Sequence, residues 1–375
     1  MTLRRWWRTA TAVAAALLIA HQVPGAPANR SGPPAKVRTA ALSVGADGAS
    51  AVLTKRGTPR FSMVGVTWAD PTARVTGPVE VRTRDSRSGV WSGWLPLGGD
   101  GGRGDGGGRG RGGTEPAWVG PSDGAEVRVS GTRGAGAGLP RGLRLDMIDP
   151  GPDRRPEGGG GDGMVPVAFT RDAPDIVSRD SWGADESLSP GAPDYLPGGV
   201  VKAVVVHHTA HSDDYTCAQA PAVVRAIHTY HVAQLSWNDI GYNFVIDKCG
   251  TVYEGRKGGA DQPVLGAHAY GFNSETTGVA VIGDHTDAAP PDAALTAVAR
   301  VAAWKLARYG VDPTGTTTLT AGADGSNHAH QSWQEGDALT FPAIHGHRDG
   351  YPTECPGDAF YDRLPDVRDR AGDDG

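Results

Sequence analysis

The spacing of hydrophobic positions changes along the chain and divides it into regions of different kinds. Over residues 49–149, apolar and polar residues alternate in short runs separated by Gly and Pro, which is typical of antiparallel strands. Residues 174–370 combine short β-branched runs with stretches in which apolar residues recur every three or four positions, which indicates strands and helices. The pattern predicts a small all-β, sandwich-like domain followed by an α/β domain with a mixed β-sheet and flanking helices.

The second domain contains a buried strand that ends in two histidines. The run Val204-Val205-Val206 is β-branched and leads directly into His207 and His208. We expect these side chains at a sheet edge, where functional loops gather. The other predicted elements are helices over 218–235 and 292–309, a hairpin of 241–247 with 251–254, and a strand over 278–283.

The N-terminal segment has the three parts of a secretory signal peptide. Arg4 and Arg5 precede an apolar run over residues 10–20 and small residues that end at Ala28, so we predict a signal peptide over 1–28. The alternative is a membrane anchor, but the run is shorter than the ~20 residues that a span needs. We therefore expect export, by the general or the twin-arginine route, without stable membrane insertion.

Composition marks the segments between the domains. The chain has 56 Gly, 28 Pro and 38% hydrophobic residues, so long stretches cannot contribute to a core. We predict a disordered tail over 29–48, a flexible Gly-rich loop over 98–113 and a linker over 150–173. A formal charge of -6 provides no basic surface for nucleic acid.

Four tryptophans of the β-rich region allow two interpretations. Aromatic rings can stack on sugars, and they can equally fill a small β core, where each buries a large area. We favour the core for these residues, which are Trp68, Trp91, Trp94 and Trp118.

The three cysteines of the chain raise the question of which one is unpaired. Cys355 follows His347 in one loop, and both could meet His207 at a metal ion. Three protein ligands with an open fourth position are typical of catalytic zinc. The spacing equally allows Cys355 to form a disulfide with Cys217 or Cys249. A bridge between Cys217 and Cys249 would link the start of a helix to a hairpin turn.

Several motifs occur in a fixed order over about residues 174–368. They are His207-His208-Thr209-Ala210, Trp237-Asn238-Asp239-Ile240-Gly241-Tyr242-Asn243-Phe244, Tyr253-Glu254-Gly255-Arg256, Gly266-Ala267-His268, Gly346-His347-Arg348-Asp349 and Thr353-Glu354-Cys355-Pro356-Gly357. In this order they resemble the peptidoglycan recognition protein and zinc-dependent N-acetylmuramoyl-L-alanine amidase family, also called amidase type 2. Actinobacterial members are similar in carrying an extra β-rich region.

The resemblance implies a role for each matching residue. His207, His347 and Cys355 would hold Zn²⁺, Tyr242 and Thr353 would be catalytic, and Cys217 and Cys249 would form the structural disulfide. His208, which points away from His207 if the strand continues, would support the ligands or face the substrate. Arg256 and His268 would line the groove and contact substrate, the alternative being a structural role. From its place on the helical apolar stripe, we interpret His231 as a hydrogen-bonded core histidine, and we expect surface or loop positions for His228, His285, His328 and His330.

The resemblance also implies a reaction. A zinc-activated water would hydrolyse the amide between N-acetylmuramic acid and L-alanine in peptidoglycan. The chain has no H-E-x-x-H motif of the common zinc peptidases. Two alternatives remain, a non-catalytic peptidoglycan-binding receptor and a zinc-free adhesion or wall-anchoring protein that acts through its β domain. For the amidase we expect peptidoglycan as the partner and a secreted, cell-wall-associated monomer.

Overall fold

The computed structural model describes residues 34–98, 104–105, 110–131, 138–152 and 173–373. The predicted signal peptide and most of the predicted linker and Gly-rich loop lie outside the described residues. In the described part of the chain, no helix is long and apolar enough to cross a membrane.

The N-terminal domain is all-β, as predicted. Its strands form one hydrogen-bonded antiparallel sheet of eight strands in the order β1-β8-β3-β7-β4-β5, with β2 and β6 also paired to β3. Alternation places one side of a strand in the core: in Val79–Asp85, Val79, Val81 and Thr83 are buried. The strands are β1 Lys36–Ala41, β2 Ser43–Val44, β3 Ser50–Trp68, β4 Val79–Asp85, β5 Leu95–Pro96, β6 Gly112–Gly113, β7 Ala117–Ser130 and β8 Arg144–Asp149.

The predicted disordered tail over 29–48 is wrong for its described part. Strand β1 pairs with β8 from Lys36 opposite Asp149 to Ala41 opposite Arg144, and Leu42 lies in the core. β1 is an edge strand whose residues are exposed or half-buried. An edge strand needs little apolar surface, so its sequence carries no clear alternation.

Two of the four tryptophans lie in the core, as we favoured, and the other two do not. Trp68 and Trp118 are buried in the core, with relative exposures of 1% and 2%. Trp91 and Trp94 are half-buried at the surface. The guanidinium of Arg82 lies 4.9 Å from the ring centroid of Trp94 and 5.5 Å from that of Trp91.

The C-terminal domain is built on a mixed six-stranded sheet in the order β18-β10-β13-β11-β12-β9. β10 runs parallel to both neighbours, β13 and β18, and the predicted hairpin is the antiparallel pair β11 and β12. Two small hairpins, β14 with β17 and β15 with β16, were not predicted. The strands are β9 Ile176–Val177, β10 Ala203–His208, β11 Phe244–Ile246, β12 Val252–Glu254, β13 Thr276–Val281, β14 Thr316–Thr320, β15 Gly325–Ser326, β16 Ser332–Trp333, β17 Ala338–Pro342 and β18 Ile344–Gly346.

Helices cover both faces of this sheet. On one face, α3 packs on Val204, Val206 and Val279, and on the other, α2 packs on Val245 and Ala280. This arrangement confirms the α/β prediction with flanking helices. The helices are α1 Arg179–Trp182, α2 Ala220–Thr229, α3 Asp292–Ala307, α4 Asp358–Tyr361 and α5 Leu364–Asp373.

Helix α2 joins the two domains. A 3-10 turn, Cys217–Gln219, precedes it and a π-helical turn, Tyr230–Gln234, follows it, which together fill the predicted helix. Val223, Ile227 and Tyr230 share one core cluster with Met63, Trp118 and Ile148 of the β domain. The helix is therefore buried against the sheet on one side and against the β domain on the other.

Candidate metal centre and groove

Strand β10 carries His207 to the end of the sheet. His207 lies opposite Ala280 of β13, and its neighbour His208 lies opposite Val281. Because successive side chains of a strand point to opposite faces, the two histidines diverge. Both are buried, with relative exposures of 2% and 7%.

The loop after β18 brings two more donors to His207. A 3-10 turn, His347–Asp349, begins where β18 ends, and the N–H of Arg348 donates to the carbonyl of Cys355 at 2.8 Å. The N–H of His208 points at the Cys355 Sγ at 3.4 Å. As a result, donor atoms of His207, His347 and Cys355 all lie within 4.8 Å of one another.

The disulfide in the structure excludes the alternative in which Cys355 is bonded to Cys217 or Cys249. The structure contains the Cys217–Cys249 disulfide that the resemblance implied, with a Cα–Cα distance of 6.2 Å. Cys355 takes no part in it, and its Sγ lies 3.7 Å from the Nδ1 of His207.

The residues of this cluster suit a zinc ion. Burial, together with neighbouring histidines, lowers the pKa of His347 to about 3 and the pKa of His207 well below its usual value. Both imidazoles are therefore neutral at pH 7 and offer lone pairs to a metal. Two imidazoles and a cysteine sulfur form a donor set that Zn²⁺ prefers.

Tyr242 and His268 surround His207. The ring centroids of Tyr242 and His207 are 5.3 Å apart, and burial raises the pKa of Tyr242 well above its usual value, so its phenol keeps its proton. The Nδ1 of His268 lies 3.1 Å from the Nε2 of His207. Thr353 is buried beside the cluster, where its hydroxyl accepts the N–H of Cys355 at 3.2 Å.

A groove next to Arg256 is lined by other residues than those of the cluster. A cavity of about 330 Å³ is lined by Arg256, Trp237, Asn238, Asp239 and the loop 190–194. Arg256 is 7% exposed and forms an ion pair at 2.6 Å with Asp105 of the β domain. The predicted substrate residue is thus in contact with a carboxylate of its own chain.

The structure corrects one of the expected histidine positions, that of His228. His208 is turned away from His207, as expected from strand alternation, and its Nδ1 accepts the N–H of His285 at 3.2 Å. His228 is neither a surface nor a loop residue, since it lies in α2 and is 1% exposed, whereas His285 lies in a loop as expected but is buried. His231 is the core histidine that we expected, and its Nδ1 accepts the N–H of Gly241 at 3.1 Å.

Helix α2 explains why His228 was misplaced. Its Nε2 lies 3.1 Å from Asp239 and 3.0 Å from the hydroxyl of Ser189, on the side of the helix that was taken as solvated. The absence of any run of charged residues between 218 and 235 was the signal that both sides of this helix are covered.

Sequence reasoning also missed Asp239 and Arg74. Asp239 is buried between His228 and Arg179; burial opposes its ionisation, but these two partners outweigh burial and keep the pKa of Asp239 far below its usual value. Arg74 of the β domain donates to the hydroxyl of Tyr351, whose ring stacks on His347 with centroids 5.2 Å apart. The β domain thus contacts both the groove and a neighbour of the metal cluster.

Comparisons with known proteins cover both domains. The N-acetylmuramoyl-L-alanine amidase family matches residues 197–358, and the Rv3811 N-terminal galactose-binding domain-like family matches residues 21–153. The chain is 30% identical to a peptidoglycan recognition protein of Trichoplusia ni over 189 residues, which are 50% of this chain and 85% of that protein.

Other relatives share only a part of their length with this chain. Identity to peptidoglycan-recognition protein SA of Drosophila melanogaster is 36% over 124 residues, 33% of this chain and 57% of that protein. Identity to the N-acetylmuramoyl-L-alanine amidase of Homo sapiens is 34% over 196 residues, 51% of this chain and 28% of that protein. The solved structure of Drosophila peptidoglycan recognition protein SA is similar with a TM-score of 0.39 and 27% identity, covering 51% of this chain and 91% of that one.

Proposed function

Because the chain belongs to the peptidoglycan recognition protein and N-acetylmuramoyl-L-alanine amidase family, we propose that it is a zinc-dependent amidase of peptidoglycan. The bond cleaved is the amide between N-acetylmuramic acid and the first L-alanine of the stem peptide. The observation that supports this most is the convergence of His207, His347 and Cys355 within 4.8 Å. Binding-only relatives would not need a cysteine at the third position.

The three ligands and Tyr242 have separate tasks in this proposal. His207, His347 and Cys355 hold Zn²⁺, which when bound supplies an acidified water and polarises the scissile carbonyl. Burial keeps the two histidines unprotonated and therefore available as ligands. Tyr242 stays a phenol and can donate a hydrogen bond to the developing oxyanion, a contribution of about 3 kcal/mol for such donors.

Neighbouring groups hold these residues in place. His268 packs edge-on against His207 with centroids 5.1 Å apart, which restricts the orientation of that ring. Thr353 orients the backbone at Cys355 through its hydroxyl. We assign His268 and Thr353 positioning roles.

The protein acts outside the cytoplasm in this proposal. The Cys217–Cys249 disulfide links the start of the α2 segment to the β11–β12 turn, and such bonds persist in oxidising compartments. Together with the predicted signal peptide, this supports a secreted monomer that meets peptidoglycan at the cell wall.

The test is the release of stem peptides from purified cell walls. We expect the full-length protein to produce new L-alanine amino termini, and both a zinc chelator and Cys355→Ser to abolish their release. His347→Asn should do the same, whereas His330→Asn, a matched change at an exposed histidine, should remain active. Equal release by wild type and Cys355→Ser would disprove the zinc mechanism. Binding to walls without any release would identify the protein as a receptor.

A further inference from the structure

The guanidinium of Arg256 is held in a fixed orientation by the backbone of its own domain. Its Nε donates to the carbonyl of Ile240 at 3.0 Å, its Nη1 to that of Leu265 at 3.3 Å, and its Nη2 to that of Asp239 at 3.3 Å. A buried cation held by neutral carbonyls still needs a negative partner. The negatively charged group that pairs with Arg256 therefore determines which ligand groups the guanidinium can still bind.

Asp105 of the β domain supplies that negative partner. One carboxylate oxygen accepts from Arg256 Nη1 at 2.6 Å, and the other accepts from the N–H of Asn238 at 3.0 Å. Burial opposes ionisation of Asp105, but the hydrogen bond and charge of Arg256 outweigh it and lower the pKa of this carboxyl. Asp105 is therefore a carboxylate at neutral pH, with a side chain that is 27% exposed.

The approach of Asp105 depends on a close backbone contact. Gly104 lies against the indole of Trp237 so tightly that a Cβ at this position would overlap the ring. The chain can reach Arg256 along this path because the residue before Asp105 has no side chain. Both Trp237 and Arg256 line the cavity of about 330 Å³.

The pair changes what the groove can recognise. A guanidinium alone beside a cavity would attract a carboxylate, since the two form bidentate, charge-assisted hydrogen bonds. Here that position is already taken by a carboxylate, which repels a second one and accepts hydrogen bonds itself. A carboxamide is uncharged and can donate to the exposed side of Asp105.

We propose that Asp105 is a specificity-determining residue, which makes the groove prefer stem peptides with a carboxamide over those with a free carboxylate beside Arg256. The inference rests on the proposed function, because it takes the groove as the stem-peptide site. If Asp105 had only a structural role, its substitution would change the affinity for stem peptides with a carboxamide and for those with a free carboxylate by the same factor.

The test compares two muramyl tripeptides that differ only in their stem carboxyl groups, free in one and amidated in the other. Binding to the full-length, zinc-loaded protein is followed by quenching of tryptophan fluorescence in a stopped-flow instrument, so that it is measured before any cleavage. Trp237 at the cavity makes this signal suitable. The variants are Asp105→Asn, which keeps the shape, and Asp105→Ala, which removes the acceptor. The control is Asp123→Asn, since Asp123 pairs with Arg84 at 2.7 Å inside the β domain.

The ratio of the two dissociation constants decides the outcome. Wild type and Asp123→Asn should bind the amidated ligand more tightly than the free acid, and equal binding by wild type would overturn the proposed preference. Both Asp105 variants should shift the ratio about tenfold toward the free acid, the value of one charged hydrogen bond. An unchanged ratio with intact binding would overturn the role of Asp105 and leave the proposed function standing. Failure of every protein to bind either ligand would refute the stem-peptide groove, and this inference with it.

Discussion

The cluster of His207, His347 and Cys355 and the interface between the two domains are two regions of this protein under different constraints. His347 and Cys355 are half-buried, whereas Tyr230 and Met63 at the interface are fully buried. In the proposed function, His207, His347 and Cys355 supply the particular donor atoms that a zinc ion requires. The interface around Tyr230 and Met63 requires mainly apolar volume of the right shape, to which Tyr230 adds a hydrogen bond to the Thr114 carbonyl at 2.9 Å. Chemistry restricts the residue type at each position, whereas packing restricts mainly volume.

This difference predicts how each region responds to substitution. Changes in the cluster should remove activity and leave the fold intact, whereas changes at the interface should lower stability. The two effects can be separated by measuring stem-peptide release and the free energy of unfolding on the same variants.

The largest effect on stability is expected from truncation at the centre of the interface. Tyr230→Ala should lower the free energy of unfolding by about 3 to 5 kcal/mol, because the ring is fully buried between the domains. Urea unfolding followed by fluorescence measures this value. The matched variant Tyr230→Phe should lose only about 1 to 3 kcal/mol, the cost of leaving the Thr114 carbonyl without its donor. Equal losses in the two variants would mean that packing of the ring contributes nothing.

Within the cluster, Tyr242→Phe should reduce turnover about 10²- to 10³-fold, the cost of one oxyanion donor. The phenyl ring fills the same space beside His207, so the unfolding transition should remain close to that of wild type. Zinc content, measured on the purified variant, should also be unchanged. Loss of zinc together with activity would show that Tyr242 supports the ligands and does not act on the substrate.

The same contrast explains what the sequence could predict. The convergence of His207, His347 and Cys355, the place of Tyr242 and the Cys217–Cys249 pair could be expected because their motifs resemble those of a known family; spacing alone left the partner of Cys355 open. The contact of Asp105 with Arg256 could not, because a single acidic residue in a Gly-rich segment carries no information about its partner. Strand β1 and the buried His228 were missed because edge pairing and burial by a second domain depend on tertiary contacts.

A smaller effect is expected at Gly65 of β3, which faces Tyr230. A Cβ at this position would lie 2.5 Å from the Cζ and the hydroxyl oxygen of Tyr230, so the rigid ring or the strand must move. Gly65→Ala should therefore destabilise the protein by about 1 to 3 kcal/mol, the usual cost of overpacking. If the overlap is the cause, the double variant with Tyr230→Ala should lose less than the sum of the two single losses.

The smallest effect is a gradual pH dependence of the free energy of unfolding, which arises from the buried side chain of His231. Burial, followed by the charges of His228 and Arg256, lowers the pKa of His231 to about 3. Its value in the unfolded chain is about 6.5, so between these limits the unfolded state binds a proton that the folded state excludes. The contribution of His231 is thus complete above pH 6.5 and falls by about 1.4 kcal/mol per pH unit as the pH decreases toward 3. Urea unfolding between pH 7 and 4.5 should show a shallower slope for His231→Gln than for wild type or for His330→Gln, which removes an exposed histidine. Parallel slopes for all three proteins would show that His231 does not remain neutral in the folded state.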